Sequence, residues 1–191
     1  MATKTDARII KTKARLYDAF FALLHEKLFE EITINEICTR AVVRRATFYK
    51  HFSDKYDFLA DMTESIVKNI DAKIQGESHS GYPIEYHIEY VHRLIDYLIC
   101  EHDAVALLLK SAQMPMLVST IAGVNYEVLE ERLTMSVAGG EMLVASVRTV
   151  ATMLAGGIGT MIASWLEGGM AIPKEELLLE IEKVIRAVFV K

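Results

Sequence analysis

The sequence predicts an all-α protein of about nine helices, a three-helix unit followed by a larger helical bundle. Three observations carry this. Apolar residues recur at helical spacing through nearly the whole chain. Only three of the 191 residues are proline and 52% are apolar, so little interrupts long, well-packed helices. Start and stop signals then divide the pattern: Thr33 with Glu36, Ser53-Asp54, Gly139-Gly140, and Gly168-Gly169 followed by Pro173.

The first helix is expected over about residues 6–27, with Ile9, Leu16, Phe20, Leu23 and Leu24 on its inner face. Thr33 and Glu36 form a capping-box pattern, and Ile34, Ile37, Cys38 and Ala41 follow along one face of a second helix. After Ala41 the period breaks for about three residues. Val43, Phe48 and Phe52 then point back into the core, leaving Arg44, Arg45, Thr47, Tyr49, Lys50 and His51 outward. Ser53 and Asp54 start a helix reaching about residue 75, with Tyr56, Leu59, Met62 and Ile66 at helical spacing. Residues 76–83 are the most loop-like of the chain. Helices follow over about 84–100, 103–111, 116–136, 141–167 and 174–190. The expected domains are 1–53 and 54–191.

Charge divides the chain in the same way. Overall it is −5, yet residues 1–55 hold 11 Lys and Arg against 7 Asp and Glu, and the remainder 10 against 19. A cationic module thus precedes an acidic body, and its local field, rather than the net charge, governs encounter with a polyanion. Two short helices around a tight turn, with cationic and polar groups on and after the second, suit a helix-turn-helix laid in a DNA major groove.

At these residues the chain resembles the TetR family of bacterial transcriptional regulators. The similarity lies in Phe29-Glu30-Glu31-Ile32-Thr33, in Ile37-Cys38-Thr39-Arg40-Ala41, and in Thr47-Phe48-Tyr49-Lys50-His51-Phe52-Ser53-Asp54-Lys55. It covers roughly the first third of the chain. The resemblance implies double-stranded DNA as partner, with Thr33, Tyr49, His51 and Lys55 in phosphate or positioning roles. Arg45 and Lys50 are the candidates for base-edge or nearby phosphate contacts, and Arg44 and Thr47 suit either role. The family usually has Gly-Val-Ser where this chain has Val42-Val43-Arg44. A β-branched residue disfavours the positive φ that such a turn requires, so Val42 is expected to carry strain or reshape the turn. Arg44 also replaces the usual serine cap.

The last two helices point to self-association. Thr149 to Leu166 is an 18-residue stretch without a formal charge, at the lower length limit for a membrane span. It is rich in Gly, Ala, Thr and Ser and lacks an aromatic belt, which favours a helix buried by protein partners and no membrane role. Ala155, Gly159 and Ala163 form a stripe of small residues that a neighbouring helix can approach closely. With Leu177, Ile181, Val184 and Val188 of the final helix, this stripe is the expected homodimer interface, half of a four-helix bundle. Trp165-Leu166-Glu167-Gly168-Gly169-Met170 and Pro173-Lys174-Glu175-Glu176-Leu177 are similar to the dimerising end of many TetR-family proteins.

The resemblance further implies an effector pocket among the central helices. Met62, Ile66, Tyr86, Tyr90, Leu94, Met114, Met116, Tyr126 and Met153 are the candidate lining, because Met and Tyr suit an adaptable apolar cavity for a small apolar or aromatic effector. Catalytic patterns are absent from the sequence. Glu89 and His92 form one Glu-x-x-His, and a di-iron bundle site needs two. No phosphate loop, nucleophile elbow or paired-cysteine zinc pattern is found, so neither an enzyme nor a cofactor is expected. Cys38 and Cys100 read as buried small hydrophobes in a reducing compartment. No secretory signal is expected at the N-terminus. The resulting expectation is a cytoplasmic, homodimeric, ligand-responsive repressor. A co-regulator with a degenerate helix-turn-helix acting through protein partners is the first alternative, and a helical metal protein or enzyme the second.

Overall fold

The computed structural model describes residues 4–75, 83–111 and 114–190. Most of the expected loop, residues 76–82, lies outside the described residues. Among those described, nine α-helices follow in order: α1 (Lys4–Leu24), α2 (Ile34–Arg40), α3 (Arg45–Phe48), α4 (Lys55–Gln75), α5 (Ile84–Cys100), α6 (His102–Leu109), α7 (Met114–Ala138), α8 (Val147–Glu167) and α9 (Lys174–Val188). One 3-10 turn spans Phe29–Glu31, and two-residue strands β1 (Met142–Leu143) and β2 (Phe189–Val190) pair antiparallel. The fold is all-α in substance.

The chain divides into two compact units, Met1–Met62 with Glu101–Leu117, and Thr63–Cys100 with Val118–Lys191. The division between these units falls within α4, and α6 belongs with the first. There α6 packs against α1, and the Ser111 hydroxyl donates to Glu30 at 2.6 Å.

The first unit is built on aromatic rings. Phe20, Phe29, Phe48, Phe52 and Phe58 are all buried, and Phe58 packs within 5.1–5.5 Å of Phe20, Phe48 and Phe52. These contacts tie α1, the end of α3 and the start of α4 together. The Asp54 carboxylate accepts from the backbone amides of Tyr56 and Asp57 at 2.8 and 2.9 Å, which fixes where α4 begins.

In the second unit, Leu133 of α7 packs with Val150, Ala151 and Leu154 of α8, and Ile70 and Ile74 of α4 pack with Tyr86 of α5. The helix expected from residue 141 begins only at Val147. Ser146 is its N-cap, its hydroxyl accepting from the Thr149 amide at 3.2 Å. Residues 142–143 are instead taken up by β1, whose partner β2 ends α9 two residues early. Cys38 is buried as expected, but Cys100, the last residue of α5, is exposed.

Candidate nucleic-acid interface and interior cavity

The α2–turn–α3 segment is fixed at three points. Thr33 caps α2: its hydroxyl accepts from the Glu36 amide at 3.2 Å, while the Glu36 carboxylate accepts from the Thr33 amide at 2.9 Å. Hydrogen bonds from Lys27 and Thr33 hold the Glu36 carboxyl well below its ordinary range, at about 2. At the other end of α2, the Val42 amide donates to Thr39 O at 3.1 Å and the Val43 amide to Cys38 O at 2.9 Å. This pair is a Schellman motif with Val42 in the left-handed position, at φ 54°. The Arg15 guanidinium of α1 donates to Val42 O at 3.1 Å.

Beyond the turn, Arg44, Arg45, Tyr49 and Lys50 are exposed, while Thr47 and His51 are half-buried. The regular recognition helix is one turn long, and the Arg45 guanidinium lies 5.8 Å from the centre of the Tyr49 ring. Lys55 differs from the rest of the set. Its ammonium donates to Phe29 O at 2.6 Å and Ile32 O at 2.9 Å, and lies 4.1 Å from the centre of the Phe29 ring. Burial lowers its pKa, opposed by the Glu30 charge. The structure thus turns Lys55 inward, onto carbonyls of the unit itself. Of its two roles from sequence, positioning fits this geometry and phosphate contact does not. Lys27 and Arg40 are likewise engaged, with Glu36 and Glu26.

The second unit encloses a cavity of about 70 Å³ among α5, α7, α8 and α9. Tyr86, Tyr90 and Leu94 line it, as expected from sequence. Met62 and Ile66 do not. Met62 is buried in the first unit, and Ile66 packs against the Ile70–Ile74–Tyr86 cluster. Tyr126 bonds Glu130 at 2.6 Å beside the Leu133 cluster, and Met153 points outward, 66% exposed. The side chains of Met114 and Met116 lie outside the described residues.

Ala155 is buried and lines the cavity, while Gly159 borders the cavity and is also exposed. Leu177 and Ile181 are core residues of the chain itself, and Val188 packs against the Leu133 cluster. Four residues of the dimer face expected from sequence, Ala155, Leu177, Ile181 and Val188, are thus engaged within the chain itself, and Gly159 is exposed. Ala163 is half-buried, and Val184 remains 44% exposed. The outward face of α8 carries Met153, Gly156, Gly157, Thr160, Met161 and Ser164, spaced as one helix side. The Thr160 hydroxyl is spent on Gly156 O at 2.8 Å, so this face has little polar demand.

The sequence missed the polar end of the cavity. Arg132 of α7 lines it and donates to Asp71 at 2.5 Å, and the Tyr86 hydroxyl donates to the other Asp71 oxygen at 2.5 Å. Burial and its bond to Asp71 push the Tyr86 phenol upward. Residues spaced this far apart along the chain leave no local pattern. Glu89 pairs with Arg93 at 2.6 Å, and among the described residues no three potential metal ligands cluster.

Residues 16–62 match the family model described as bacterial regulatory proteins, tetR family. The matched stretch contains the whole α2–turn–α3 segment. A stretch of 60 residues is 38% identical to the uncharacterized HTH-type transcriptional regulator YxbF of Bacillus subtilis; it spans 31% of this chain and 16% of that protein. Three solved structures share the fold over nearly the whole chain. One from Syntrophomonas wolfei, assigned to the TetR-family regulators, is 19% identical with a TM-score of 0.67, covering 92% of this chain and 93% of its own. The fatty acid degradation regulator FadR of Bacillus halodurans gives 16% and 0.65, covering 90% and 96%. The Thermus thermophilus TetR-family repressor FadR, solved in complex with lauroyl-CoA, gives 16% and 0.61, covering 94% and 96%.

Val42 sets this TetR-family segment apart. A left-handed backbone costs an L-residue about 1–2 kcal/mol, and 78% exposure leaves its side chain little packing to offset that. Glycine removes the strain but gives back about 0.5–1 kcal/mol through the freedom of the unfolded chain. Val42→Gly is thus expected to stabilise the first unit by about 0.5–1 kcal/mol, read as a rise in denaturation midpoint. A lowered midpoint would show that the valine makes compensating contacts.

Proposed function

We propose that the protein is a cytoplasmic, homodimeric, ligand-responsive transcriptional repressor that binds an inverted-repeat operator in double-stranded DNA. The observation that carries this reading is the exposed row Arg44, Arg45, Tyr49 and Lys50 on a TetR-family helix-turn-helix segment. Arginine forks suit guanine edges, and the remaining groups suit phosphates. Two such segments related by a two-fold axis read two half-sites. The Thermus FadR complex with lauroyl-CoA supports ligand responsiveness in a chain of this fold.

The second copy docks on the outward face of α8, joined by Val184 of α9. That face is apolar and small, which accounts for the uncharged run in the one described helix long and apolar enough to span a membrane. A Cβ added at Gly157 meets nothing within 4 Å in the chain itself. Gly157→Leu is therefore expected to leave the helical content intact and convert the protein to a monomer, read by sedimentation. A leucine variant that still dimerises places the interface elsewhere.

Selection of bound duplexes from a random DNA pool tests the reading as a whole. Enrichment of an inverted repeat is the expected result. Absence of any enrichment overturns it in favour of a co-regulator that acts through protein partners.

A further inference from the structure

The cavity of the second unit selects its ligand by charge. We infer that it takes a small, neutral, chiefly apolar molecule bearing one hydroxyl or carbonyl group. This rests on the ligand-responsive reading above and names the chemistry of its effector.

The walls are almost wholly apolar, contributed by residues such as Leu94, Leu129, Leu154 and Ile158. The one permanent cation in the lining, Arg132, is already balanced, and the His87 ring, which also lines the cavity, has its Nε2 3.1 Å from Ser136 Oγ. Asp71 accepts from Arg132 at 2.5 Å, and Glu131 lies 3.4 Å away. An entering carboxylate would have to compete with Asp71 for that guanidinium and would sit beside a buried like charge. An entering ammonium would find Asp71 already taken by Arg132 and by the Tyr86 hydroxyl. Either ion loses its hydration without gaining an unspent counter-charge.

A neutral polar group has a place. Tyr90 and Asn125 both line the cavity, and the Tyr90 hydroxyl donates to Asn125 Oδ1 at 3.1 Å, while Asn125 Nδ2 donates to Ile121 O at 3.0 Å. Burial, followed by the Asp71 charge, raises the Tyr90 pKa and keeps its phenol protonated. The phenol oxygen accepts from a ligand hydroxyl, or its proton turns to a ligand carbonyl. Size favours a small ligand. A volume of about 70 Å³ is roughly half that of an engineered void of about 150 Å³ that admits benzene. A ring therefore enters only as the walls part. The occupied state differs from the empty one, as a ligand that shifts an equilibrium between two states requires.

The test uses the full chain and three probes of one shape: benzyl alcohol, benzoate and benzylamine. Benzyl alcohol is expected to raise the melting temperature and to bind at least about tenfold more tightly than either ion. Gly159→Leu, which places a side chain where an added Cβ meets nothing within 4 Å, is expected to abolish the response while the protein stays folded. Ala155→Val is the milder filling variant should leucine disturb the helix. Benzoate or benzylamine binding as tightly as the alcohol overturns the inference, as does an alcohol response that survives both filling variants. No response to any probe also overturns it, and retained operator binding in that case leaves the regulator reading standing.

Discussion

Replacing Asp71 by alanine is expected to destabilise the second unit by about 3 kcal/mol, because the largely buried Arg132 charge loses its buried partner and keeps the exposed Glu131 at 3.4 Å. Asp71 is 9% exposed and the Arg132 side chain 12%. The carboxylate accepts from both Arg132 and Tyr86 at 2.5 Å, so its removal also takes a hydrogen bond from a buried phenol. Chemical denaturation gives the loss directly. The companion result separates this account from a packing defect. Arg132→Met in the Asp71→Ala background is expected to recover much of the loss, since the penalty lies in the uncompensated charge. A double variant no more stable than Asp71→Ala alone would assign the cost to the cavity left by the carboxylate.

Arg45→Ala is expected to weaken binding to the selected operator by about 1–3 kcal/mol and to relax the preference at one position of each half-site. Arg45 opens α3, its guanidinium 5.8 Å from the centre of the Tyr49 ring, so loss of the arginine also loses that stacking partner. Lys50 supplies the contrast. As an exposed point charge it suits a phosphate, and Lys50→Ala is expected to weaken all sequences alike and to reduce the salt slope by about 1. If Arg45→Ala lowers affinity without changing sequence preference, its contact is to the backbone and the base-reading role falls elsewhere.

The helices were legible because burial imposes a 3.6-residue period on Leu16, Phe20, Leu23 and Leu24, all of which prove to be core. The Thr33–Glu36 capping box and the positive φ at Val42 were legible for the same local reason, since each follows from a few adjacent residues. What escaped was non-local or ambiguous. Phe58 is the hub of the first core, yet one ring among many apolar residues carries no label of its partners. Strands of two residues are too short for any alternation to register. A small-residue stripe such as Ala155–Gly159–Ala163 signals either close helix approach or open space beside it, and here Ala155 and Gly159 border open space. Lys55 looked like a phosphate ligand because its cation is written in the sequence, while the carbonyls of Phe29 and Ile32 that claim it are not.

If a second copy docks on the uncharged outer side of α8, as proposed above, the protein's stability becomes a matter of mass action. If folding of that helix is completed only by a second copy, the melting temperature rises with total concentration, and dilution loosens the protein without any change of solvent. The number of copies in a cell then sets both how many molecules are paired and how many survive unfolding. At low abundance such a dimer would lose function more steeply than its copy number falls.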